Sequence, residues 1–230
     1  MATDRESIGW RYRLVRNFFT LVYRLLMHVE VVGRENFYVE GACIVILNHL
    51  SVFDPPLVGI LLPRRGWALA AEKYRRHLLF GPVARFVGVI FVRRGEVDRR
   101  ALRAALKVLR KGGLVAIAPE GTRSPTGQLQ QAKEGVAYLA SRTGATILPV
   151  AVAGTEKVID TLKRLRRPRV QVVIGEPFKL PPAVRAAKGP QWATYTDLIM
   201  CRLAALLPES YRGYYRHRCA SDGTPLPSQA

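Results

Sequence analysis

A chain of 230 residues with 49% hydrophobic side chains can bury one sizeable core, which excludes disorder over most of its length. Its 36 Lys and Arg against 17 Asp and Glu, a net charge of +19, call for anionic partners such as lipid headgroups, nucleic acid or an acidic carrier protein. Cys43, Cys201 and Cys219 are odd in number, widely spaced and outside any paired-thiolate motif, so neither a disulfide framework nor a zinc site is expected, and a reducing compartment is inferred.

The chain starts with acids, Asp4 and Glu6, ahead of any apolar run, and lacks a small-residue cleavage site after one, so a secretory signal is not expected. Residues 10–29 place Phe18, Leu21, Val22, Leu25 and Leu26 at helical steps among Arg11, Arg13, Arg16 and Arg24. Such a basic amphipathic helix suits a bilayer interface, or equally a terminal helix docked on its own domain. Next, 41–63 is uncharged except for Asp54 and has about the ~20-residue length of a membrane span. Asn48, His49, Asp54 and Pro55-Pro56 oppose that reading, because a charge and helix breakers at mid-bilayer are costly.

Strands are predicted near 43–47, 67–71, 88–92, 114–118, 146–152 and 169–175, alternating with helices near 55–62, 75–86, 98–111, 133–142 and 156–166. The fold class is therefore α/β, a single layered domain whose largely parallel central sheet is flanked by helices and preceded by the basic amphipathic helix. Helix 98–111 is the best marked, with Asp98 as N-cap, Leu102, Leu106 and Leu109 on one face, and Gly112 at its end. A proline-bounded connector, 181–190, precedes a final helix, 191–207, and the last ten residues are expected to be disordered. The expected division is an amphipathic segment at 1–30, the main domain at 31–208 and a basic, then flexible, tail at 209–230.

His49 and Asp54 follow the apolar run 43–47, which places them where open α/β sheets keep their chemistry, at a strand's carboxyl end. Five positions apart, they would diverge by about 140° on one regular helix. Asp54 before Pro55 reads instead as a helix start, with His49 in the turn ahead of it and able to fold back. A carboxylate on one imidazole nitrogen fixes the tautomer and stabilises the cation formed when the other takes a proton. Ser51 lacks the glycine-flanked elbow of a nucleophilic serine, so the hydroxyl to be activated is one that arrives on a substrate.

After the strand 114–118, Pro119-Glu120-Gly121-Thr122-Arg123-Ser124 forms a polar turn whose guanidinium, hydroxyls and amides suit phosphate oxygens. Its bland alternative is a surface turn in which Glu120 and Arg123 pair with each other or face water. Arg93 and Arg94 end the strand 88–92, and Pro149 interrupts the strand 146–152, marking an edge, a bulge or a shaped wall.

In order, Asn48 to Asp54, Gly88 to Arg94, Pro119 to Ser124 and Leu148-Pro149-Val150 resemble the blocks of the glycerolipid acyltransferase family that includes the 1-acylglycerol-3-phosphate acyltransferases. Residues 71–73 and 127–135 also resemble the intervening pattern, and the likeness spans about 30–178. It implies acyl transfer from a coenzyme A or acyl carrier protein thioester to lysophosphatidic acid, giving phosphatidic acid; the cysteine pattern, the expected lack of a secretory signal and the net positive charge place this expectation at the cytoplasmic face of an anionic membrane. No metal, cofactor or acyl-enzyme is implied. On the family pattern His49 is the general base and Asp54 orients it. Arg94 and Arg123 hold the acceptor's phosphate, Glu120, Gly121 and Thr122 shape its pocket, Lys73 contributes, and Pro149 lies on the acyl-chain side. Two positions depart from the pattern: Ala118 replaces a frequent phenylalanine, and Arg93 a common aspartate.

Other readings are a different lysolipid acceptor, including an amino-acid lipid, a lipid-binding protein without turnover, and a basic nucleic-acid-binding protein. The last lacks any recognisable aromatic recognition motif.

Overall fold

The computed structural model describes residues 9–76, 88–93 and 98–226. Helix α1 (Trp10–Leu26) stops three residues before the predicted end, because Met27 is extended and leads into β1 (His28–Val32). That strand was not predicted, although Val29 and Val31 are turned inward and alternate with exposed residues. The all-apolar β2 (Cys43–Leu47) is buried throughout, as a strand covered on both faces must be. Then follow α2 (Asp54–Leu61), β3 (Gly66–Ala71) and a 3-10 turn, Glu72–Arg76, where a helix 75–86 was expected. The rest of that predicted helix lies outside the described residues.

After β4 (Val89–Val92) comes α3 (Arg99–Arg110), where Asp98 accepts from the amides of Arg100 and Ala101 as the expected cap. Next are β5 (Leu114–Ile117), α4 (Gly135–Thr143), β6 (Thr146–Ala153), α5 (Val158–Lys163), β7 (Arg169–Ile174) and α6 (Gln191–Ala205). The predicted helix 156–166 shrinks to the six residues of α5, since a 3-10 turn occupies 155–157 and Leu165 adopts a left-handed conformation, φ 54°.

Seven strands among the described residues form one sheet in the order β1-β7-β6-β2-β5-β3-β4. Only β6 and β7 pair antiparallel, so the expected largely parallel sheet is present. Alternation along β2 assigns its two faces: Ile44 and Ile46 pack with α3, α4 and α6, whereas Cys43, Val45 and Leu47 face Tyr23 and Met27 together with Leu57 and Val58 of α2. Pro149 marks a bulge, one of the expected alternatives. Val150 pairs with Ile174 but Ile147 with Phe178, so the partner chain takes four steps where β6 takes three.

Two expectations about the cysteines and the tail are corrected. Cys201 of α6 and Cys219 form a disulfide, because the tail folds back and brings their Cα atoms to 5.3 Å, a proximity that eighteen intervening positions conceal. The cysteine pattern therefore gives no support for a reducing compartment. Residues 221–226, expected to be disordered, form a turn in which Leu226 donates to the Arg218 carbonyl and Gly223 lies against Cys201 and Arg202.

Candidate active site

β5 lies on one side of β2 and β6 on the other, so the chain reverses its direction of travel across the sheet beside β2. Loops leaving the carboxyl ends of neighbouring strands diverge at such a point and open a crevice. Three of them meet here: 48–53 after β2, 118–134 after β5, and the turn at Thr155 after β6.

Asn48 fixes the first loop. Its side-chain amide donates to the Val152 carbonyl at 2.7 Å, and its oxygen accepts from the Val152 amide at 2.8 Å, which ties the end of β2 to the end of β6. His49 comes next and lies in the turn, with Asp54 as the first residue of α2, as the spacing predicts. Asp54 is not the cap, however; Phe53 holds that position, and the Asp54 side chain turns back over the preceding loop. Asp54 is fully buried, and donors converge on both of its oxygens. Oδ2 accepts from the Leu50 amide at 2.6 Å, the Ser51 amide at 2.7 Å and His49 Nδ1 at 3.0 Å, and Oδ1 from the Thr155 hydroxyl at 2.5 Å. In the neutral tautomer that donates from Nδ1 to this carboxylate, Nε2 keeps its lone pair.

The second turn grips the main chain of His49 from both sides. Glu120 Oε1 accepts from the His49 amide at 3.0 Å, and the Ser124 amide donates to the His49 carbonyl at 2.8 Å. The other oxygen of Glu120 accepts from the Gln130 amide at 2.9 Å. Glu120 is therefore buried against backbone, which sets aside the surface turn in which it pairs with Arg123 or faces water. Burial raises the pKa of its carboxyl, and the hydrogen bonds from Gln130 and His49 oppose that rise. Gly121 has φ 72°, a conformation that favours glycine, and a Cβ there would meet Lys133 Cε at 3.1 Å, which the flexible lysine could relieve by a small shift.

A cavity of about 1770 Å³ opens at this junction, with His49, Gly121 and Lys133 on its wall. Its lining is mostly apolar and bridges the strand ends, reaching Tyr12, Phe19 and Tyr23 of α1 on one sheet face and Leu102 and Leu106 of α3 on the other. The Tyr23 hydroxyl donates to the Phe53 carbonyl at 2.8 Å, which ties α1 to the turn that holds His49.

The remaining predicted residues are dispersed. Thr122 and Arg123 are exposed at the turn and do not line the cavity. Lys73 is exposed with its ammonium 5.3 Å from the Tyr74 ring, and Pro149 lies within β6, opposite Ile46 of β2, where a Cβ on Gly175 would come to 3.0 Å from its ring. Arg94 falls outside the described residues. Arg93 does line the cavity, and its guanidinium pairs with Glu72 at 3.0 Å. Asn48, Thr155 and Lys133 were not among the predicted site residues. Asn48 stood beside His49 in the quoted block, whereas nothing in sequence relates Thr155 to Asp54 across 101 positions. Among the described residues no group of His, Cys, Asp and Glu could hold a metal ion.

The family model described as Acyltransferase matches residues 28–153, which contain His49, Asp54, the 119–124 turn and the whole of β6. The chain belongs to the acyltransferase family. A 1-acyl-sn-glycerol-3-phosphate acyltransferase of Borreliella burgdorferi is 33% identical over 55% of this chain and 52% of its own length. The human 1-acyl-sn-glycerol-3-phosphate acyltransferase beta is 30% identical over 70% of this chain and 57% of its own. A lyso-ornithine lipid O-acyltransferase of Pseudomonas aeruginosa is 32% identical over 47% and 42%, respectively. The chain thus spans about half the length of these curated relatives. Among solved structures, the 1-acyl-sn-glycerophosphate acyltransferase PlsC of Thermotoga maritima superposes with a TM-score of 0.65 at 27% identity, covering 85% of this chain and 79% of that one. Membership of the family agrees with the resemblance read from the four blocks.

Proposed function

We propose that this chain transfers a fatty acyl group from an acyl thioester, carried by coenzyme A or an acyl carrier protein, to the free hydroxyl of 1-acylglycerol-3-phosphate, giving phosphatidic acid. The observation that carries this reading is His49, on the wall of a large, mainly apolar cavity and held from behind by the buried carboxylate of Asp54. Ser51, its amide committed to Asp54, is buried and supplies no elbow for an acyl-enzyme.

His49 Nε2 removes the hydroxyl proton as the oxygen attacks the thioester carbonyl, forming the C–O bond. Collapse of the tetrahedral intermediate breaks the C–S bond, and the thiolate leaves with the proton returned from His49. A thioester is already activated, so the residues need chiefly to place the alcohol, hold its proton and keep the imidazole oriented. Asp54 does the last of these and offsets the positive charge of the imidazolium.

For the acceptor's phosphate a cation on the cavity wall is Lys133, which lies over Gly121, with Arg123 at the exposed edge of the same turn. Arg94 remains a family-based candidate for the same phosphate, and Lys73 and Pro149 for outer and acyl-chain contacts. The lipid arrives from the side of α1, whose outer face exposes Trp10, Leu14, Phe18, Leu21 and Leu25 in a helical row. With Arg13 and Arg24 also exposed, this face suits peripheral or monotopic residence on an anionic membrane. Among the described residues no helix is long and apolar enough to cross a membrane.

The P. aeruginosa relative favours a second acceptor, a lysolipid with an amino-acid headgroup. An assay of both thioester donors against a panel of lysolipids separates the two. Phosphatidic acid as the dominant product is expected, and preferential acylation of the amino-acid lysolipid would reassign the acceptor.

A further inference from the structure

Helix α3 carries Arg99, Arg100, Arg103, Lys107 and Arg110, followed by Lys111, all exposed and with no acidic residue between them. At ~100° per residue, Arg99, Arg103, Lys107 and Arg110 lie within an arc of about 80° and run for about 16 Å along the axis. Ala101, Ala105, Leu106 and Leu109 occupy the buried side. Among the described residues, the salt bridges engage none of these six cations. Like charges at helical neighbour spacing repel, so the stripe is favourable only opposite an anionic partner.

Its position narrows the partner. Arg99 and Arg103 line the cavity that contains His49, so the stripe begins at the mouth of the site and runs outward from it. α3 covers the sheet face of Ile44 and Ile46, whereas α1, with its exposed apolar row, belongs to the opposite face. A bilayer engaged by α1 therefore leaves α3 turned towards water. A coenzyme A thioester must run its pantetheine arm into the cavity, which leaves its nucleotide phosphates to meet the cations at the mouth. Lys107 and Arg110 extend the charge beyond that reach and match the length of a protein surface.

We propose that α3 is the docking face for an acidic acyl carrier protein, which presents its acyl thioester to His49 from the α3 side while the lipid acceptor enters from the α1 side. This rests on the acyl-transfer reading above and assigns the donor's path. Charge complementarity of this kind governs encounter and orientation more than the chemical step.

Steady-state kinetics of Lys107→Glu/Arg110→Glu, with carrier-protein and coenzyme A thioesters of the same chain length, test it; Arg99 and Arg103 are left intact. The expected result is a KM for the carrier thioester about tenfold higher at unchanged kcat, with coenzyme A kinetics within about twofold of the unaltered protein. Added salt should raise the carrier KM of the unaltered protein and have little effect on the variant. Equal effects on both donors, no effect on the carrier, or failure of the unaltered protein to use the carrier thioester would overturn the docking face, and turnover of coenzyme A thioester would still uphold acyl transfer. Lost binding to phosphatidylglycerol vesicles with an unchanged carrier KM would reassign the stripe to lipid. Turnover of neither donor by the unaltered protein would remove the acyl-transfer reading and the docking face together.

Discussion

In the turn at 48–54 the polar groups face inward: Asn48 is committed to Val152, both His49 backbone groups to the second turn, and Asp54 to four donors. In the turn at 119–124 only half the polar side chains do so. Glu120 and Ser124 are buried, while Thr122 and Arg123 point to solvent. One turn has its geometry set before any substrate arrives, as proton transfer demands. The other is anchored from below and free above, which suits contact with a charged headgroup that must enter and leave.

That contrast predicts a separation of kinetic effects. His49→Ala should lower kcat by about 10³-fold or more, within the range for loss of a general base, with the thermal midpoint little changed. Residual turnover above about a tenth of the original would break the assignment of His49. Glu120→Ala should lower kcat and stability together, because it strands the buried amides of His49 and Gln130 at a cost of about 1–3 kcal/mol each. An effect confined to KM would move Glu120 back to acceptor binding.

Arg123→Ala should act on recognition alone, raising KM for a phosphate-bearing acceptor by about tenfold, equivalent to about 1.4 kcal/mol, at unchanged kcat. An equal change for an acceptor without phosphate would remove Arg123 from that role. The smallest effect is expected at Asp98, the cap of α3, where its loss in Asp98→Ala costs about 1 kcal/mol in chemical denaturation. Hydrogen bonds from the amides of Arg93, Ala101 and Arg100 hold the Asp98 carboxyl below its ordinary value. Its contribution is thus present above the unfolded carboxylate's pKa and lost as pH falls through the lowered folded value. A stability difference between the two proteins that persists at strongly acidic pH would contradict this origin.

Local signals carried much of the fold. The apolar run at 43–47, the Asp98 cap and the leucine face of α3 depend on neighbours within a turn or two, where spacing reports conformation directly. β1 was obscured because the helical pattern before it runs on without a breaker, and its pairing partner β7 lies about 140 residues away. α5 was overextended because its end is set by Leu165, a residue type that gives no hint of a left-handed conformation.

At the site, sequence alone determined the groups present and the family: a histidine and an aspartate at a strand's end, a glycine-containing polar turn after another strand, and four blocks in family order. Tertiary structure decided which groups touch. It turned Glu120 inward to His49, brought Thr155 to Asp54, left Thr122 and Arg123 outside the cavity, joined Cys201 to Cys219, and set α1 and α3 on opposite faces of the sheet. The reason is physical. Residue types and short spacings fix what a group can do, whereas contacts between loops leaving β2, β5 and β6 depend on strand order, which no local pattern encodes.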